Sequence, residues 1–191
     1  MVATKSMTAD EVLEFWFHET DPENWFERSD AFDQIIRDRF CEAVEAARGG
    51  GLSDWHDTPR GCLAVIILID QLSRNIYRDS PLAWSADDVG LACAKRAIAH
   101  AYDVDLGLDE RKFLYMPLMH SETLDDQEQC VELFRTLAAE GADDGDVSLE
   151  FAIRHRDIIA RFGRFPHRNE ILGRESTPEE IEFLKEPNSA F

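Results

Sequence analysis

Seven consecutive apolar residues, from Leu63 to Ile69, constrain the fold of this protein more than any other feature of its sequence. A run of this length, rich in β-branched residues, fits either a strand or a helix that is buried on every side. A strand needs partners, and no second run of similar character occurs in the 191 residues. Thr58 and Pro59, just before the run, are typical of a helix start. The run therefore predicts a central, buried helix.

Helical patterns also account for the rest of the sequence. Thr8 and Glu11 have capping-box spacing, and apolar residues from Phe32 to Ala47 recur at i, i+3 and i+4. The helix that Asp109 would cap contains Pro117 and is expected to bend or end there. Further helices are predicted to begin near residues 80, 85, 124, 147 and 176. We therefore expect about eight helices and a single all-α domain over residues 1–191, built from stacked antiparallel helical hairpins.

The charge balance limits the partners of the protein. Thirty-nine acidic residues face 20 lysines and arginines, which gives a formal net charge of −19. This charge repels polyanions, so we expect no binding to nucleic acid or to an anionic membrane. The four cysteines form no C-x-x-C pair and are typical of free thiols in a reducing compartment. Because residues 1–7 lack an apolar signal segment, and Leu63 to Ile69 is too short to span a bilayer, we expect a cytoplasmic protein.

The strongest departure from this acidic background lies between residues 154 and 174. Six arginines and two histidines occur there with only two acids, Asp157 and Glu170. Gly163 and Pro166 interrupt the helical pattern and predict a rigid turn. The turn carries Arg164, His167, Arg168 and Asn169. Guanidinium groups bind carboxylates and phosphates, but they also pair with a protein's own acids and helix ends, so the segment predicts either an anion site or a fixed ion-pair network.

A second polar group follows the predicted central helix. It consists of Asp70, Arg74, Asn75 and Arg78, in which Asp70 and Arg74 have i, i+4 spacing. Polar residues that continue a buried helix usually need partners inside the protein. A local helix pair without a functional role is the alternative, and the sequence does not decide between them.

A third group contains Tyr115, His120 and Glu122. His120 shares a helical face with Phe113, and His155 falls on the apolar face of a later helix, so both imidazoles are predicted to point inward. A single inward histidine is more often a hydrogen-bonded core residue than a ligand. We expect neither a metal nor a cofactor, because these residues lack the H-x-x-x-H or E-x-x-H spacing and the neighbouring arginines repel cations.

These segments together resemble the bacterial family called domain of unknown function nine-two-four. The matching motifs cover nearly the whole sequence: 12–17, 25–26, 51–52, 70–78, 113–118, 120–122, 161–169 and 172–174. The family is classed with tetratricopeptide-like α-helical folds, so the resemblance implies that fold and a set of motif residues, but no activity. The sequence departs from the family pattern at Leu72 and Ser73, where Phe-Pro is usual, and at Met119, Thr123 and Cys130. Without that proline the helix exit that carries Arg74 is less rigid.

Two functional hypotheses follow. In the first, this is a pocket protein that binds a small carboxylate or phosphate. The predicted ligand-binding residues are Arg74, Asn75, Arg78, Tyr115, Arg164, His167, Arg168 and Asn169. If this protein is an enzyme, His120 or His155 would transfer protons, and Asp70 or Glu122 would orient them.

In the second hypothesis, the protein is a tetratricopeptide-like scaffold that binds an acidic peptide or the C-terminus of another protein through the same arginines. We favour the pocket, because apolar elements carry the polar groups toward the interior. We therefore expect Asp70, Arg74, His120, His155 and Arg164 to converge in space. The sequence does not indicate the oligomeric state.

Overall fold

The computed structural model of the protein describes residues 7–190. Every regular element in this range is helical, which confirms the all-α prediction. No helix in this range is long and apolar enough to cross a membrane. Residues 1–6 and residue 191 lie outside the described residues. Most of the segment in which we expected no signal sequence is therefore not described.

The helices follow one another with short connections. In sequence order they are α1 (Ala9–Glu14), α2 (Asp30–Arg48), α3 (Pro59–Ile66), α4 (Ser73–Ile76), α5 (Asp87–Ala99), α6 (Leu108–Met119), α7 (Leu124–Ala139), α8 (Gly145–Phe162) and α9 (Pro178–Phe183). Two π-helical segments, Phe15–Glu19 and Ile67–Leu72, continue α1 and α3. Because α3, the second π-helical segment and α4 form one continuous helix, residues 7–190 contain eight helices, as predicted.

The polypeptide folds into two compact units. The first contains the residues up to Arg78 together with Leu82–Pro117, and the second contains Asp79–Pro81 and the residues from Leu118 onward. The expectation of a single domain remains a prediction, and the two units are described separately.

The core of the first unit is the continuous helix that begins with α3. All residues from Leu63 to Ile69 are at most 1% exposed, as expected for a central helix. Helices α1, α2 and α5 pack against it. A side chain at Gly90 of α5 would place its Cβ 3.3 Å from Cγ2 of Ile69, so the glycine allows the close approach of α5.

The second unit is built on a helical hairpin of α7 and α8, which pack along each other. Helix α8 ends at Gly163, whose left-handed φ of +68° is a conformation that favours glycine. The apolar core of the second unit contains Ile158, Ile159 and Phe165, and Phe183 of α9 packs against this core. The break in the helix predicted at Gly163 and Pro166 is therefore present, and it begins the turn that carries the candidate site.

Three helix limits differ from the sequence prediction. The helix expected from Ser85 begins at Asp87, because the Ser85 hydroxyl donates to the Leu82 carbonyl (3.1 Å) and accepts from Arg48 (2.9 Å) and does not cap the helix. The helix expected near residue 80 is only a 3-10 turn over Pro81–Ala83. Helix α6 begins at Leu108 and continues through Pro117 to Met119.

Candidate functional site

Two histidines and one arginine of the second unit lie around a single phenyl ring, and a third histidine lies beside one of the two. The ring of Phe165, fully buried, lies 5.5 Å from that of His155 and 5.6 Å from that of His167. The guanidinium carbon of Arg168 lies 4.5 Å from the centre of the Phe165 ring, and the His120 and His155 rings are 6.2 Å apart. We call His120, His155, His167 and Arg168 the histidine cluster.

Two side chains of the cluster are hydrogen-bonded to backbone carbonyls, one within α8 and one just after the end of α6. His155 lies on the inward face of α8, is 5% exposed, and places Nδ1 2.8 Å from the carbonyl oxygen of Phe151. Arg168, 7% exposed, donates from Nη1 to the carbonyl oxygen of His120 (3.1 Å). This bond joins the turn after α8 to the end of α6. The inward direction predicted for His155 is therefore present, whereas His120 is only half-buried.

The imidazoles of His155 and His167 are neutral at pH 7. Burial, followed by the electrostatic effects of His120, Arg168 and His167, lowers the pKa of His155 to about 3, although the bond to Phe151 acts in the opposite direction. Burial and then the charge of Arg168 lower the pKa of His167 to about 4. A neutral imidazole has one N–H donor and one acceptor nitrogen, so His167 can donate one hydrogen bond to an anion, whereas the N–H of His155 is directed to the carbonyl oxygen of Phe151.

Glu122 and Arg174 fix the turn next to the cluster. Arg174 donates from Nη1 and Nη2 to the two carboxylate oxygens of Glu122 (2.7 and 2.9 Å), and Nη2 also donates to the carbonyl oxygen of Phe165 (3.1 Å). The backbone N–H of Phe165 donates to Glu122 (2.8 Å). Although burial alone would raise the pKa of Glu122, the bonds from Arg174 and Phe165 lower it below its usual value. In this arrangement the charged Glu122 positions Arg174 and the turn.

Arg164 has the contacts expected of a structural ion pair. Its Nε and Nη2 donate to the two carboxylate oxygens of Glu180 (2.6 and 2.7 Å), which is 2% exposed. Glu180 also accepts from the side chain of Asn169 (3.3 Å) and from the backbone of Thr177 (2.7 Å). The bond from Arg164 is the main reason that the pKa of Glu180 falls to about 2. For Arg164 these contacts favour the ion-pair alternative over ligand binding.

The same turn contains buried polar atoms that have no hydrogen-bond partner within residues 7–190. Nε of Arg174 and Oδ1 of Asn169 are among them. Buried polar atoms in folded proteins are nearly always paired with protein, water or ligand, so each unpaired atom needs an explanation. Sequence reasoning did not include Arg174 in the site, although its place at the end of the basic segment was a visible signal.

Comparison with known proteins places the protein in a family. A family model described as "Bacterial protein of unknown function (DUF924)" matches residues 12–188. The protein belongs to this family. Its fold is similar to the solved structure of a protein of unknown function from Agrobacterium tumefaciens, which is 37% identical. That similarity has a TM-score of 0.84 and covers 93% of this protein and 96% of the other. No curated protein matches the sequence.

The Asp70 to Arg78 motif of this DUF924 protein lies in the first unit. Arg74 donates to the carboxylates of Asp70 (3.0 Å) and Asp87 (3.1 Å) and to the carbonyl oxygen of Ala83 (2.7 Å). Asp70 also accepts from Gln71 (2.8 Å). Sequence reasoning predicted the pair of Asp70 with Arg74 but missed Asp87.

The second half of the motif surrounds one acid of α2. Arg78 donates from Nε and Nη2 to both carboxylate oxygens of Asp33 (2.6 and 2.7 Å), and Asn75 donates to the same group (2.8 Å). Both Asn75 and Arg78 were predicted to bind a ligand, whereas their side chains here bind Asp33. The partner was missed because Asp33 is 45 residues from Arg78 in the sequence.

The remaining predicted residues divide between the units. The structure brings His120 and His155 together, but it places Asp70 and Arg74 in the first unit and pairs Arg164 with Glu180. Tyr115 is fully buried in the first unit, where its hydroxyl donates to Asp103 (2.7 Å) and accepts from Arg111 (3.3 Å). Burial and the bond to Asp103 raise the pKa of Tyr115 to about 12.

Two other observations bear on the kind of site. In residues 7–190, no group of three or more His, Cys, Asp or Glu side chains is placed to hold a metal ion. A surface cleft of about 410 Å³ lies in the first unit, lined by Ala9, Asp10, Thr58, Pro59, Arg60, Gly61 and Asp105. These residues include none of the predicted site, and Arg60 is paired there with Asp10 (2.8 Å) and Glu110 (3.4 Å). The histidine cluster, rather than this cleft, is therefore the stronger candidate for a ligand site.

Proposed function

We propose that the histidine cluster, together with Arg174, binds a small carboxylate or phosphate. The observation that carries this proposal is the buried Nε–H of Arg174, a guanidinium donor without an acceptor among residues 7–190, whose charge acts on the imidazole of His167. A carboxylate or phosphate oxygen is the natural acceptor for such a donor.

The charges around His167 support an anion as the ligand. Arg168, His120 and Arg174 act to lower the pKa of His167, and Glu122 acts to raise it. The effect of Arg168 exceeds that of Glu122, so the local charge is positive on balance although the protein carries −19 overall. A bound anion would offset this positive charge and would raise the pKa of the imidazoles that it contacts.

Fewer side chains are available to bind a ligand than the sequence analysis predicted. The carboxylates of Asp33, Asp70, Asp87 and Glu180 hold Arg74, Arg78 and Arg164. The proposed ligand-binding side chains are His120, His167, Arg168, Asn169 and Arg174. Because the N–H of His155 is directed to the carbonyl oxygen of Phe151, the half-buried His120 and His167 are the imidazoles that would contact a ligand.

Thermal unfolding with added anions tests the proposal. At a hundred times its dissociation constant, malonate or phosphate should stabilise the fold by about 2.7 kcal/mol, which corresponds to a rise in Tm of roughly 5–10 °C for a protein of this size. Chloride at equal ionic strength is the control. The Arg174→Lys variant keeps the charge but loses Nε–H, so its rise should be smaller. Arg161→Lys, at an exposed arginine paired with Glu179, should respond like the wild type.

The same assay addresses the scaffold alternative. An acidic peptide uses the same donors, so a rise in Tm with the peptide but not with malonate or phosphate would favour the scaffold. Equal effects of malonate, phosphate and chloride on the wild type would contradict anion binding.

A further inference from the structure

Five aromatic side chains of the first unit form a connected group, which we call the aromatic cluster. The Trp25 and Phe113 rings are 4.9 Å apart at an interplanar angle of 83°. The ring of Trp16 lies 6.2 Å from that of Trp25 and 5.5 Å from that of Phe113. Phe17 and Phe26 lie 5.6 and 6.3 Å from Phe113. Phe26 is 67% exposed, so the cluster extends from the core to the surface.

The indole N–H of Trp16 lacks an acceptor inside this cluster. Trp16 is fully buried, and its Nε1 has no hydrogen-bond partner among the residues that the structure describes. By contrast, Nε1 of Trp25 donates to the carbonyl oxygen of Trp16 (3.0 Å). Trp16 lies in the π-helical segment Phe15–Glu19, and π-helical turns are frequent at functional sites.

Lys112 of α6 brings a positive charge to the same rings. Its Nζ lies 5.3 Å from the centre of the Trp25 ring and 5.8 Å from that of Phe113. The residue is 8% exposed, and within residues 7–190 its one ion pair is with the exposed Asp109 at 4.0 Å, too long for a hydrogen bond. No acceptor among residues 7–190 is therefore hydrogen-bonded to its ammonium group. Lys112 and Trp16 therefore place two donors beside the same two rings.

We propose that the aromatic cluster binds a monocarboxylate with a small apolar body, such as an arylacetic acid. Its carboxylate would accept hydrogen bonds from Nζ of Lys112 and Nε1 of Trp16, and its apolar body would pack against Trp25 and the exposed Phe26. One ammonium balances one carboxylate, so the charge fits a monoanion better than a phosphate. This site lies in the first unit and does not depend on the proposed function of the histidine cluster.

A titration of the full-length protein with phenylacetate tests this proposal directly. The indole N–H resonances of the four tryptophans can be followed by NMR, and Trp16→Phe assigns the resonance of Trp16. We expect a saturable shift of that resonance with phenylacetate. Phenylacetamide, which keeps the ring but not the charge, should bind about tenfold more weakly or worse. Acetate, which lacks the apolar body, should also bind more weakly than phenylacetate.

Two lysine variants separate a specific site from a general charge effect. Lys112→Met, which keeps the apolar stem, should weaken phenylacetate binding by about tenfold or more. Lys95→Met, at an exposed lysine of α5, should leave it unchanged. An unshifted Trp16 resonance, equal binding of phenylacetate and phenylacetamide, or wild-type affinity in a folded Lys112→Met would each overturn the proposal. If Lys112→Met does not fold, the comparison of acid and amide on the wild type decides.

Discussion

Two arginines of one basic segment differ in how many of their N–H groups the protein uses. Arg164 directs Nε and Nη2 to Glu180, whereas Arg174 directs both terminal nitrogens to Glu122 and leaves Nε without an acceptor among residues 7–190. This difference separates a structural ion pair from a candidate ligand contact. It depends on where the acids lie, so the composition of the segment could not reveal it.

The ion pair of Glu180 should contribute to stability above about pH 4.5. The pKa of Glu180 is about 2 in the folded protein and 4.5 in an unfolded polypeptide, so its contribution is complete above pH 4.5 and is lost as the pH falls toward 2. We expect Glu180→Gln to lower the free energy of unfolding at pH 7 by about 2 kcal/mol, after allowance for solvent screening at the partly exposed Arg164.

Urea unfolding of Glu180→Gln between pH 7 and pH 3 checks this prediction. The difference from the wild type should shrink below pH 4.5. Glu179→Gln, at the exposed neighbouring acid that pairs with Arg161, is the matched control and should change stability by less than about 0.5 kcal/mol. A stability loss that is equal for both variants would show that Glu180 has no special role.

His155 should make the protein sensitive to mild acid. Its pKa is about 3 in the folded protein and 6.5 in an unfolded polypeptide, so the unfolded state takes up a proton first and stability falls as the pH drops below 6.5. At pH 5 the loss due to His155 should be about 2 kcal/mol. Thermal unfolding of His155→Gln should therefore show a weaker pH dependence between pH 7 and 5, whereas His18→Gln, at an exposed histidine, should behave like the wild type. Identical pH profiles for all three proteins would refute this.

At the scale of elements, the sequence predicted what depends on neighbouring residues. The caps of α1, α3 and α9 are Thr8, Thr58 and Thr177, each of which accepts a backbone N–H three residues later, as local motifs require. Ser85 has the same local pattern, but Arg48, 37 residues away, binds its hydroxyl. The π-helical segment after α3 was not predicted, because its extra residue depends on packing against other helices.

At the start of the central helix, the backbone of Gly61 packs closely against the backbone of Trp55. A Cβ at Gly61 would lie 2.0 Å from the carbonyl oxygen of Trp55. Since backbone atoms must move to accommodate it, Gly61→Ala should lower the free energy of unfolding by about 2–3 kcal/mol. The matched control is Gly107→Ala, where the nearest atom is a side-chain oxygen of Glu110 at 3.7 Å. Chemical denaturation that gives the same midpoint for both variants would contradict this packing.

At the scale of the whole molecule, helical periodicity was enough to predict the all-α class and the central helix. It was not enough to find Asp33, Asp87 and Glu180, which bind the arginines of the predicted site from 13 to 45 residues away. Those pairings exist only once the helices are packed. The sequence thus located the basic segment and the polar helix exit, but which side chains remain available to a ligand follows from the fold.

The pKa of His167 tests the central claim most directly. It should be measured by NMR titration of the imidazole resonances, with and without saturating malonate, using His167→Gln to assign the resonance. The free protein should give a pKa of about 4, and bound malonate should raise it by about one unit or more, because the anion offsets the charge of Arg168. A pKa of His167 that is the same with malonate and with chloride would contradict anion binding at the histidine cluster.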